Sequence, residues 1–283
     1  MFIVPILEHL ARRRLNSVGV RSRYAYTRGG RLHYYEALNP AAKGPPIVIF
    51  HGFGASATSF GRVIAALRPH SPRILAPDTP GHGFSPAPHQ RLTLSDLYDG
   101  LDEVLQRELS EPAIVVGNSL GGAMAVRFAD RNPDKIRGVV LSSPAGAPLP
   151  EAHFRELVDS FRPRGFVDAS RLIARLYDQP PWFRAIVAPD LLRHFRQPHF
   201  RHLLETFSQE ESLQPEELAS IRAPTLILWG RGERLLPGQS LDFFRTHLPA
   251  QGRIEEPEGF GHCPNLDRPR QLARRIAEFA QST

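Results

Sequence analysis

The residue with the clearest chemical potential in this chain is Ser119, which stands in the segment Gly-Asn-Ser-Leu-Gly-Gly at 117–122. An apolar strand pattern precedes this segment and a helical pattern follows it. A serine on such a sharp strand-to-helix turn has a strained backbone, and small residues at Gly117 and Gly121 let the chains approach closely. The turn exposes the hydroxyl, and the helix N terminus favours a developing negative charge beside it. The pattern predicts a nucleophilic serine; the alternative is an inert serine in a glycine-rich turn.

A serine hydroxyl is a weak nucleophile near neutral pH, so it needs a base, and the base needs a carboxylate that fixes its tautomer. Twelve histidines compete for the first role. His262 is the predicted base, because it lies on a glycine-rich loop between a strand pattern and the last helical pattern. Glu233 is the predicted acid, because it is the only carboxylate in the strand-to-loop segment 224–237 and gives the chain order Ser, acid, His.

Three other carboxylates compete with Glu233. Asp78 follows an earlier strand pattern and is better interpreted as a turn-forming residue in Asp-Thr-Pro-Gly-His-Gly. Glu258 and Asp267 flank His262 too closely in sequence to be first choices.

The second chemical signal is the segment His51, Gly52, Phe53 and Gly54, which follows the strand pattern at 47–50. Free backbone N–H groups at Phe53 and Leu120 would supply the two donors of an oxyanion hole. His51 is an alternative base, but a structural role in holding the loop through ring hydrogen bonds is favoured.

Short apolar runs alternate with helical patterns, which predicts a mostly parallel sheet with helices on both faces. The strand patterns are nearly all apolar, as expected for strands buried on both faces. They lie at 47–50, 74–76, 113–116, 139–141 and 225–229. A hairpin turned at Gly29 and Gly30 is predicted before them. The predicted helix at 94–109 carries three aspartates on its outer face, which are interpreted as solvated charges rather than a metal site.

The alternation stops between about residues 147 and 222, where helical stretches carry nine of the 25 aromatic residues. This break predicts three parts: a basic amphipathic arm at 1–22, a core at 23–146 and 223–283, and a helical cap, or lid, at 147–222.

These motifs together resemble the α/β-hydrolase superfamily from about Arg23 onward. Residues 51–54 are similar to its oxyanion loop, 78–85 to its Asp-x-x-Gly-His-Gly-x-Ser turn, 117–122 to its nucleophile elbow and 261–262 to its catalytic-His loop. The family usually has Asp where this chain has Glu233. The resemblance implies an α/β-hydrolase fold: a mostly parallel eight-stranded sheet flanked by helices, with a helical lid inserted between strands 6 and 7.

Within the superfamily the chain looks most like serine esterases and lipases of the monoacylglycerol-lipase-like or bacterial lipase-like kind. The predicted reaction is cleavage of a carboxylic ester through an acyl-enzyme, without metal or organic cofactor, and the aromatic cap favours hydrophobic or lipid-like esters. Two alternatives stay open. One is a carbon–carbon bond hydrolase of a vinylogous diketone, which shares Gly117, Asn118 and Ser119, and the other is a non-catalytic ligand-binding member.

The formal net charge of +6 is confined to one region. Residues 1–46 hold eight basic groups and two acidic ones, whereas the remaining 237 residues balance at 27 of each. This location argues against a broad nucleic-acid groove. For the apolar and then basic arm, a helix packed on its own domain is favoured, and peripheral contact of residues 1–31 with an anionic membrane is the alternative. A single cysteine is compatible with a reducing, cytoplasmic location, and the sequence carries no signal for oligomeric state.

Overall fold

An eight-stranded sheet forms the centre of the computed structural model, which describes residues 3–283. The strand order is β1-β2-β4-β3-β5-β6-β7-β8, and β2 runs antiparallel to both of its neighbours while the pairs from β4 to β8 are parallel. The predicted mostly parallel α/β-hydrolase sheet is therefore confirmed. The strands are β1 (Val20–Thr27), β2 (Gly30–Leu38), β3 (Ile47–Phe50), β4 (Arg73–Pro77), β5 (Ala113–Ser119), β6 (Ile136–Pro144), β7 (Thr225–Leu228) and β8 (Gly252–Glu255).

Helices cover both faces of this sheet. They are α1 (Ile3–Ser17), α2 (Gly61–Leu67), α3 (Leu94–Glu108), α4 (Leu120–Arg131), α5 (Glu151–Ser160), α6 (Phe166–Leu176), α7 (Arg184–Phe195), α8 (Pro198–Thr206), α9 (Pro215–Ala219), α10 (Gly238–His247), α11 (Pro264–Asp267) and α12 (Pro269–Ser282).

Apolar side chains on alternate positions of the central strands explain this layering. In β3, Val48 and Phe50 belong to the core shared with α3 and α4, whereas Ile47 and Ile49 belong to the core shared with α2 and α12. A strand buried on both faces must be apolar at every position, which is why the short run at 47–50 could be recognised.

Helices α5 to α9 lie between β6 and β7 in the chain, within the segment predicted as a cap. Helices α6 and α7 pack on each other through Ala169, Ile173 and Ala188, and side chains of α8 join the main core. In this article α5–α8 are called the inserted helices. Their function as a cap is part of the proposal below.

Helix α1 is attached to the rest of the molecule at several points. Asp190 of α7 accepts hydrogen bonds from the backbone N–H groups of Ile3 and Val4, at 2.7 and 2.8 Å. Ser56 donates to the Glu8 carboxylate at 2.7 Å, and Leu15 is buried. Burial raises the pKa of Glu8, although the Ser56 hydrogen bond opposes it. The helix therefore packs on its own chain.

Two details of the N-terminal region differ from the prediction. The hairpin turns at Arg28 and Gly29, since Thr27 pairs with Gly30, which already belongs to β2 with a φ of +115°. Strand β1 begins at Val20, so the end of the predicted arm belongs to the sheet. Met1 and Phe2, also part of that arm, lie outside the described residues. Among residues 3–283, no helix has the length and apolar character needed to cross a membrane.

Candidate functional site

Ser119 lies at the carboxyl end of β5, directly before the first residue of α4. Its φ of +55° places it in the left-handed region, which a non-glycine residue rarely adopts. A methyl group at Gly117 would overlap the carbonyl of Gly121, and one at Gly121 would overlap the carbonyl of Phe50. The close approach of β5, α4 and the end of β3 therefore depends on these glycines.

His262 and Glu233 form a buried pair beside this turn. His262 Nδ1 and Glu233 Oε2 are 2.8 Å apart, and the two side chains are 2% and 3% exposed. The pairing leaves Nε2 as the ring nitrogen available for proton exchange. The structure thus brings together the candidate base and the candidate acid, which are 29 residues apart in the chain.

Glu233 is held in its charged form. Burial alone would raise its pKa, but the adjacent His262 and hydrogen bonds from His262 and Leu236 outweigh burial and lower the pKa. The second carboxylate oxygen accepts the backbone N–H groups of Leu235 and Leu236, at 2.7 and 3.0 Å. Glu233 is therefore an ionised partner that can stabilise a protonated imidazole.

Asn118 connects the serine turn to the histidine loop, a role that sequence reasoning did not assign. Its amide nitrogen donates to the backbone carbonyls of His262 and Ser142, at 2.9 and 3.0 Å. Its amide oxygen faces the Cys263 thiol, with 3.8 Å between oxygen and sulfur. An amide residue directly before the candidate nucleophile was the only sequence signal for this link. Within residues 3–283 the Ser119 hydroxyl has no hydrogen-bonding partner, and such contacts often tighten only with substrate present.

The loop after β3 lies against Ser119. A methyl group at Gly52 would be 3.3 Å from Ser119 Cβ, so the backbone passes directly beside the hydroxyl-bearing carbon. The N–H of Phe53 donates to no backbone carbonyl in the described part of the chain, and Leu120 as the first residue of α4 has no partner within its helix. Gly54, with a φ of +69°, gives the turn its left-handed step. We call residues 52–54 the oxyanion loop.

His51 supports the oxyanion loop rather than facing Ser119. Its Nδ1 lies 2.9 Å from the carbonyl of Gly52, and its Nε2 accepts the backbone N–H of Thr79 at 3.1 Å. Burial lowers the pKa of His51, with Asp78 opposing. Because both ring nitrogens are occupied and Nε2 must accept, His51 is a neutral structural histidine in this arrangement.

The other carboxylates considered from the sequence are bound to partners that give them structural roles. Asp78 is fully buried and accepts hydrogen bonds from Ala57 N–H at 2.7 Å and from Phe84 N–H at 2.9 Å. Asp267 accepts the N–H of Gly261 at 2.8 Å and so supports the histidine loop. Glu258 pairs with an arginine at the surface. Among residues 3–283, no three His, Cys, Asp or Glu side chains are grouped as a metal site would require.

An apolar cavity opens beside Ser119. Its walls come from the serine turn, α3, the oxyanion loop, the inserted helices and the segment after β7. Its polar lining residues are Tyr98, Ser119, Ser208, Glu211 and Ser212, and neither arginine nor lysine is among the lining residues. The apolar lining side chains are Phe53, Leu94, Leu120, Ala123, Ala145, Ala147, Leu149, Phe154, Leu157, Val158, Phe161, Phe207, Leu235 and Leu236.

This arrangement of strand, serine turn and histidine loop agrees with a sequence comparison. Residues 47–275 match the profile of the alpha/beta hydrolase family, which is most of the chain. The chain belongs to the alpha/beta hydrolase family. The matched range contains the oxyanion loop, Ser119, Glu233 and His262, so every predicted site residue of this hydrolase lies inside it.

Two curated relatives of this alpha/beta hydrolase represent different chemistries. A pimeloyl-[acyl-carrier protein] methyl ester esterase of Aromatoleum aromaticum is 28% identical over 262 residues, covering 84% of this chain and 98% of that protein. A 2-hydroxymuconate semialdehyde hydrolase of a Pseudomonas species is 28% identical over 257 residues, covering 86% of this chain and 89% of that protein.

The fold of this hydrolase is also similar to solved structures. One is a membrane phospholipase A described as a bacterial virulence factor, with a TM-score of 0.84 at 22% identity over 98% of this chain and 91% of that one. At this identity the similarity establishes the shared fold. The serine esterase or lipase branch recognised from the motifs is supported by the family match and by the methyl ester esterase among the relatives.

Proposed function

We propose that this hydrolase cleaves carboxylic esters through an acyl-enzyme on Ser119. The Ser119 oxygen attacks the ester carbonyl while His262 Nε2 accepts the hydroxyl proton. His262 then returns that proton to the leaving alcohol, and Glu233 stabilises the charged imidazole throughout. Water, deprotonated by His262, attacks the acyl-enzyme, and His262 returns that proton to the departing Ser119 oxygen as the acid is released. The proposal is carried by the buried 2.8 Å pair of His262 and Glu233 beside the strained turn at Ser119.

Backbone N–H groups of Phe53 and Leu120 are the proposed donors to the oxyanion. The first belongs to the oxyanion loop beside Ser119 Cβ, and the second begins α4. Such donors are placed before the reaction and stabilise charge only as it develops on the carbonyl oxygen. Each one contributes about 10²- to 10³-fold to the rate in comparable enzymes.

The apolar cavity supports a hydrophobic acyl group as the acid part of the ester. Burying one methylene contributes about 0.8 kcal/mol. If this contribution is realised in the transition state, kcat/KM should rise roughly fourfold per methylene until the cavity is filled. The cavity is lined by Phe154 and Leu157 of α5, by Phe161 directly after α5 and by Phe207 directly after α8, which supports the proposed function of residues 147–222 as a cap.

The residues that line the cavity also bear on the alternative carbon–carbon hydrolase activity. The Pseudomonas relative is named for a muconate semialdehyde, whose carboxylate calls for a cationic or strongly donating partner. The lining residues of the cavity include no arginine or lysine. This apolar lining favours a neutral ester, and the non-catalytic alternative loses its motive once Glu233 pairs with His262.

Labelling with a fluorophosphonate probe, followed by p-nitrophenyl esters of two to sixteen carbons, tests the proposal. Labelling and hydrolysis should both disappear in Ser119→Ala, with a rate loss on the order of 10⁵- to 10⁶-fold. Ser220→Ala, a change at an exposed serine after α9, should retain both. Undiminished esterase activity in Ser119→Ala would refute the assignment, and turnover of a vinylogous diketone without ester hydrolysis would favour the alternative.

We also propose that residues 1–31 contact an anionic membrane. Although α1 packs on its own chain, Ile6, Leu7 and Leu10 remain 46%, 52% and 54% exposed. The basic residues Arg12 to Arg14 follow them in the same helix. An apolar surface next to a cationic one is typical of a helix that lies in a lipid headgroup region. A lipid-like ester would then be available beside the site.

Co-sedimentation with phosphatidylglycerol and phosphatidylcholine vesicles tests this contact. We expect binding to the anionic vesicles only, and its loss at about 0.5 M salt, where screening is strong. The double change Leu7→Glu with Leu10→Glu should abolish binding. Val167→Glu alters an equally exposed apolar residue on α6 and should leave binding intact. Equal binding to both vesicle types, or none, would reject the membrane contact while leaving the esterase proposal untouched.

A further inference from the structure

The Phe53 side chain is held by aromatic rings of the inserted helices. Its ring centroid lies 5.7 Å from that of Phe195 in a stacked geometry and 5.6 Å from that of Phe200 in an edge-on geometry. The rings of Phe161 and Phe207 lie at 5.3 and 5.2 Å. We call these four rings the aromatic cage. A residue whose backbone N–H is a proposed oxyanion donor is thus fixed through its side chain by another part of the chain.

The corner between α7 and α8 also touches the backbone of the oxyanion loop. A methyl group at Gly54 would lie 2.6 Å from Phe195 Cζ and 3.8 Å from His194 Cδ2. His199 donates through Nε2 to the carbonyl of Gly81 at 3.1 Å, which fixes the same corner to the loop after β4. Phe200 is fully buried between these contacts. The corner between α7 and α8 therefore contacts the oxyanion loop directly, and the His199 hydrogen bond fixes its position beside that loop.

Two of the four cage residues cannot act by contacting substrate in the cavity. Phe161 and Phe207 line the cavity, whereas Phe195 and Phe200 do not. Phe195 and Phe200 lie outside the cavity, so they can act on the reaction only through the cavity-lining rings they touch: Phe53 for both, and also Phe161 for Phe195, at 5.6 Å.

We propose that Phe195 and Phe200 are positioning residues that set the direction of the Phe53 N–H toward the reacting carbonyl. The inserted helices then complete the oxyanion hole as well as covering the cavity. Misplacing a catalytic group by about 1 Å can cost roughly 10²-fold in rate. The inference rests on the proposed ester hydrolysis and adds to it a function for residues that touch neither substrate nor triad.

Phe195→Ala tests the inference, because a positioning role should change kcat much more than KM. We expect kcat for a p-nitrophenyl ester to fall about 10- to 100-fold, with KM changed less than threefold. Affinity for a trifluoromethyl ketone of matched chain length should fall by the same factor as kcat, because its adduct carries the oxyanion. Phe195→Leu retains most of the side-chain volume, so its kcat and its ketone affinity should fall less, again by equal factors.

Phe183→Ala is the matched control, because Phe183 lies in the inserted segment and its ring contacts Tyr177 and Trp182 rather than the aromatic cage. Its kcat and ketone affinity should match those of the unaltered protein. If Phe195→Ala raises KM alone, or lowers kcat without weakening the ketone, the positioning role is wrong. If Phe195→Ala fails to fold, the same comparison on Phe195→Leu decides. Absence of ester hydrolysis in the unaltered protein would instead count against the proposed function.

Discussion

The side-chain amide of Asn118 donates a 2.9 Å hydrogen bond to the backbone carbonyl of His262, so the residue before the candidate nucleophile holds the loop that carries the candidate base. The same amide nitrogen reaches the carbonyl of Ser142 at the end of β6. The ends of β5 and β6 and the loop that carries His262, which are distant in the chain, thus meet at one buried side chain. This link explains how the imidazole can be placed precisely although its loop is rich in glycine.

Asn118→Ala should reduce both activity and stability. Two buried carbonyls would lose a donor, and an unsatisfied buried polar group costs about 1–3 kcal/mol. We expect a lower unfolding midpoint in urea and a kcat reduced about tenfold through the displaced histidine loop. Asn118→Asp should be worse, since a carboxylate would face both carbonyls. Unchanged kcat at a lowered midpoint would show that the link is structural only.

Glu233→Gln should separate charge from shape at the acid position. The amide retains an acceptor for the N–H groups of Leu235 and Leu236 but cannot stabilise a charged His262. We expect kcat to be reduced by about 10⁴-fold, as for the equivalent change in a triad on an unrelated fold, and stability to decrease modestly because the ionised carboxylate is lost. Ester hydrolysis and a thermal melt are the measurements. A loss of less than about tenfold would assign the acid role elsewhere.

Acid should destabilise this protein partly through His194. Burial and then the neighbouring His199 lower its pKa to about 4, with the Gly54 carbonyl opposing. An unfolded histidine has a pKa of about 6.5. Between about pH 6.5 and pH 4 the unfolded chain binds a proton that the folded protein does not, so the free energy of unfolding falls as pH decreases, by about 2 kcal/mol at pH 5.

Urea denaturation at pH 7 and pH 5 measures this dependence. His194→Gln should reduce the difference between the two pH values by roughly that amount. His70→Gln, at an exposed position after α2, should retain the difference seen in the unaltered protein. An identical pH dependence in His194→Gln would contradict the prediction.

Gly117→Ala should prevent correct folding of the serine turn. Its methyl group would overlap the Gly121 carbonyl, and both atoms belong to backbone that cannot move without displacing β5 or α4. We expect little soluble protein, or a free energy of unfolding lowered by more than about 3 kcal/mol. Gly238→Ala is the control: no atom lies within 4 Å of its added methyl group, and alanine in a helix is favourable by up to about 1 kcal/mol.

Asp190→Ala should loosen α1 from α7. The carboxylate accepts both backbone N–H groups at the described start of α1, and such capping contributes about 0.5–2 kcal/mol. We expect faster tryptic cleavage at Arg12 to Arg14, followed by mass spectrometry, without loss of ester hydrolysis. Asp159→Ala removes an exposed carboxylate of α5 and should leave the cleavage rate unchanged. Equal cleavage rates in both variants would mean that Asp190 does not hold the helix.

Prediction from sequence succeeded where the local pattern and the fold impose the same requirement. Strand β3 was predicted with its exact bounds, because four consecutive apolar residues are needed by a strand covered on both faces. Helix α7 was harder to bound from sequence, because Pro189 reads as a helix breaker, whereas the structure accommodates the proline inside a helix that begins at Arg184.

The candidate site likewise contains residues that could be predicted from sequence and residues that could not. Ser119 and His262 were predicted because a serine between glycines on a strand-to-helix turn, followed by an acid and then a histidine on a glycine-rich loop, fits the nucleophile-elbow pattern. The links made by Asn118 and Asp190 were not, because each joins segments whose proximity arises only in the tertiary structure. The contact of Phe195 with the oxyanion loop is of the same kind, since aromatic residues in a helical segment are equally compatible with an ordinary core.

Cys263 is the only cysteine of the chain, and it is partly buried beside Asn118. Burial, followed by the charges of Glu233 and Asp267, raises the pKa of its thiol, so it stays protonated and reacts slowly with maleimides near neutral pH. A cysteine introduced at an exposed position such as Leu10 would therefore be the preferred attachment point for a fluorophore. The unaltered protein should therefore show little maleimide labelling, so the fluorescence of a labelled variant would come from the cysteine introduced at the surface.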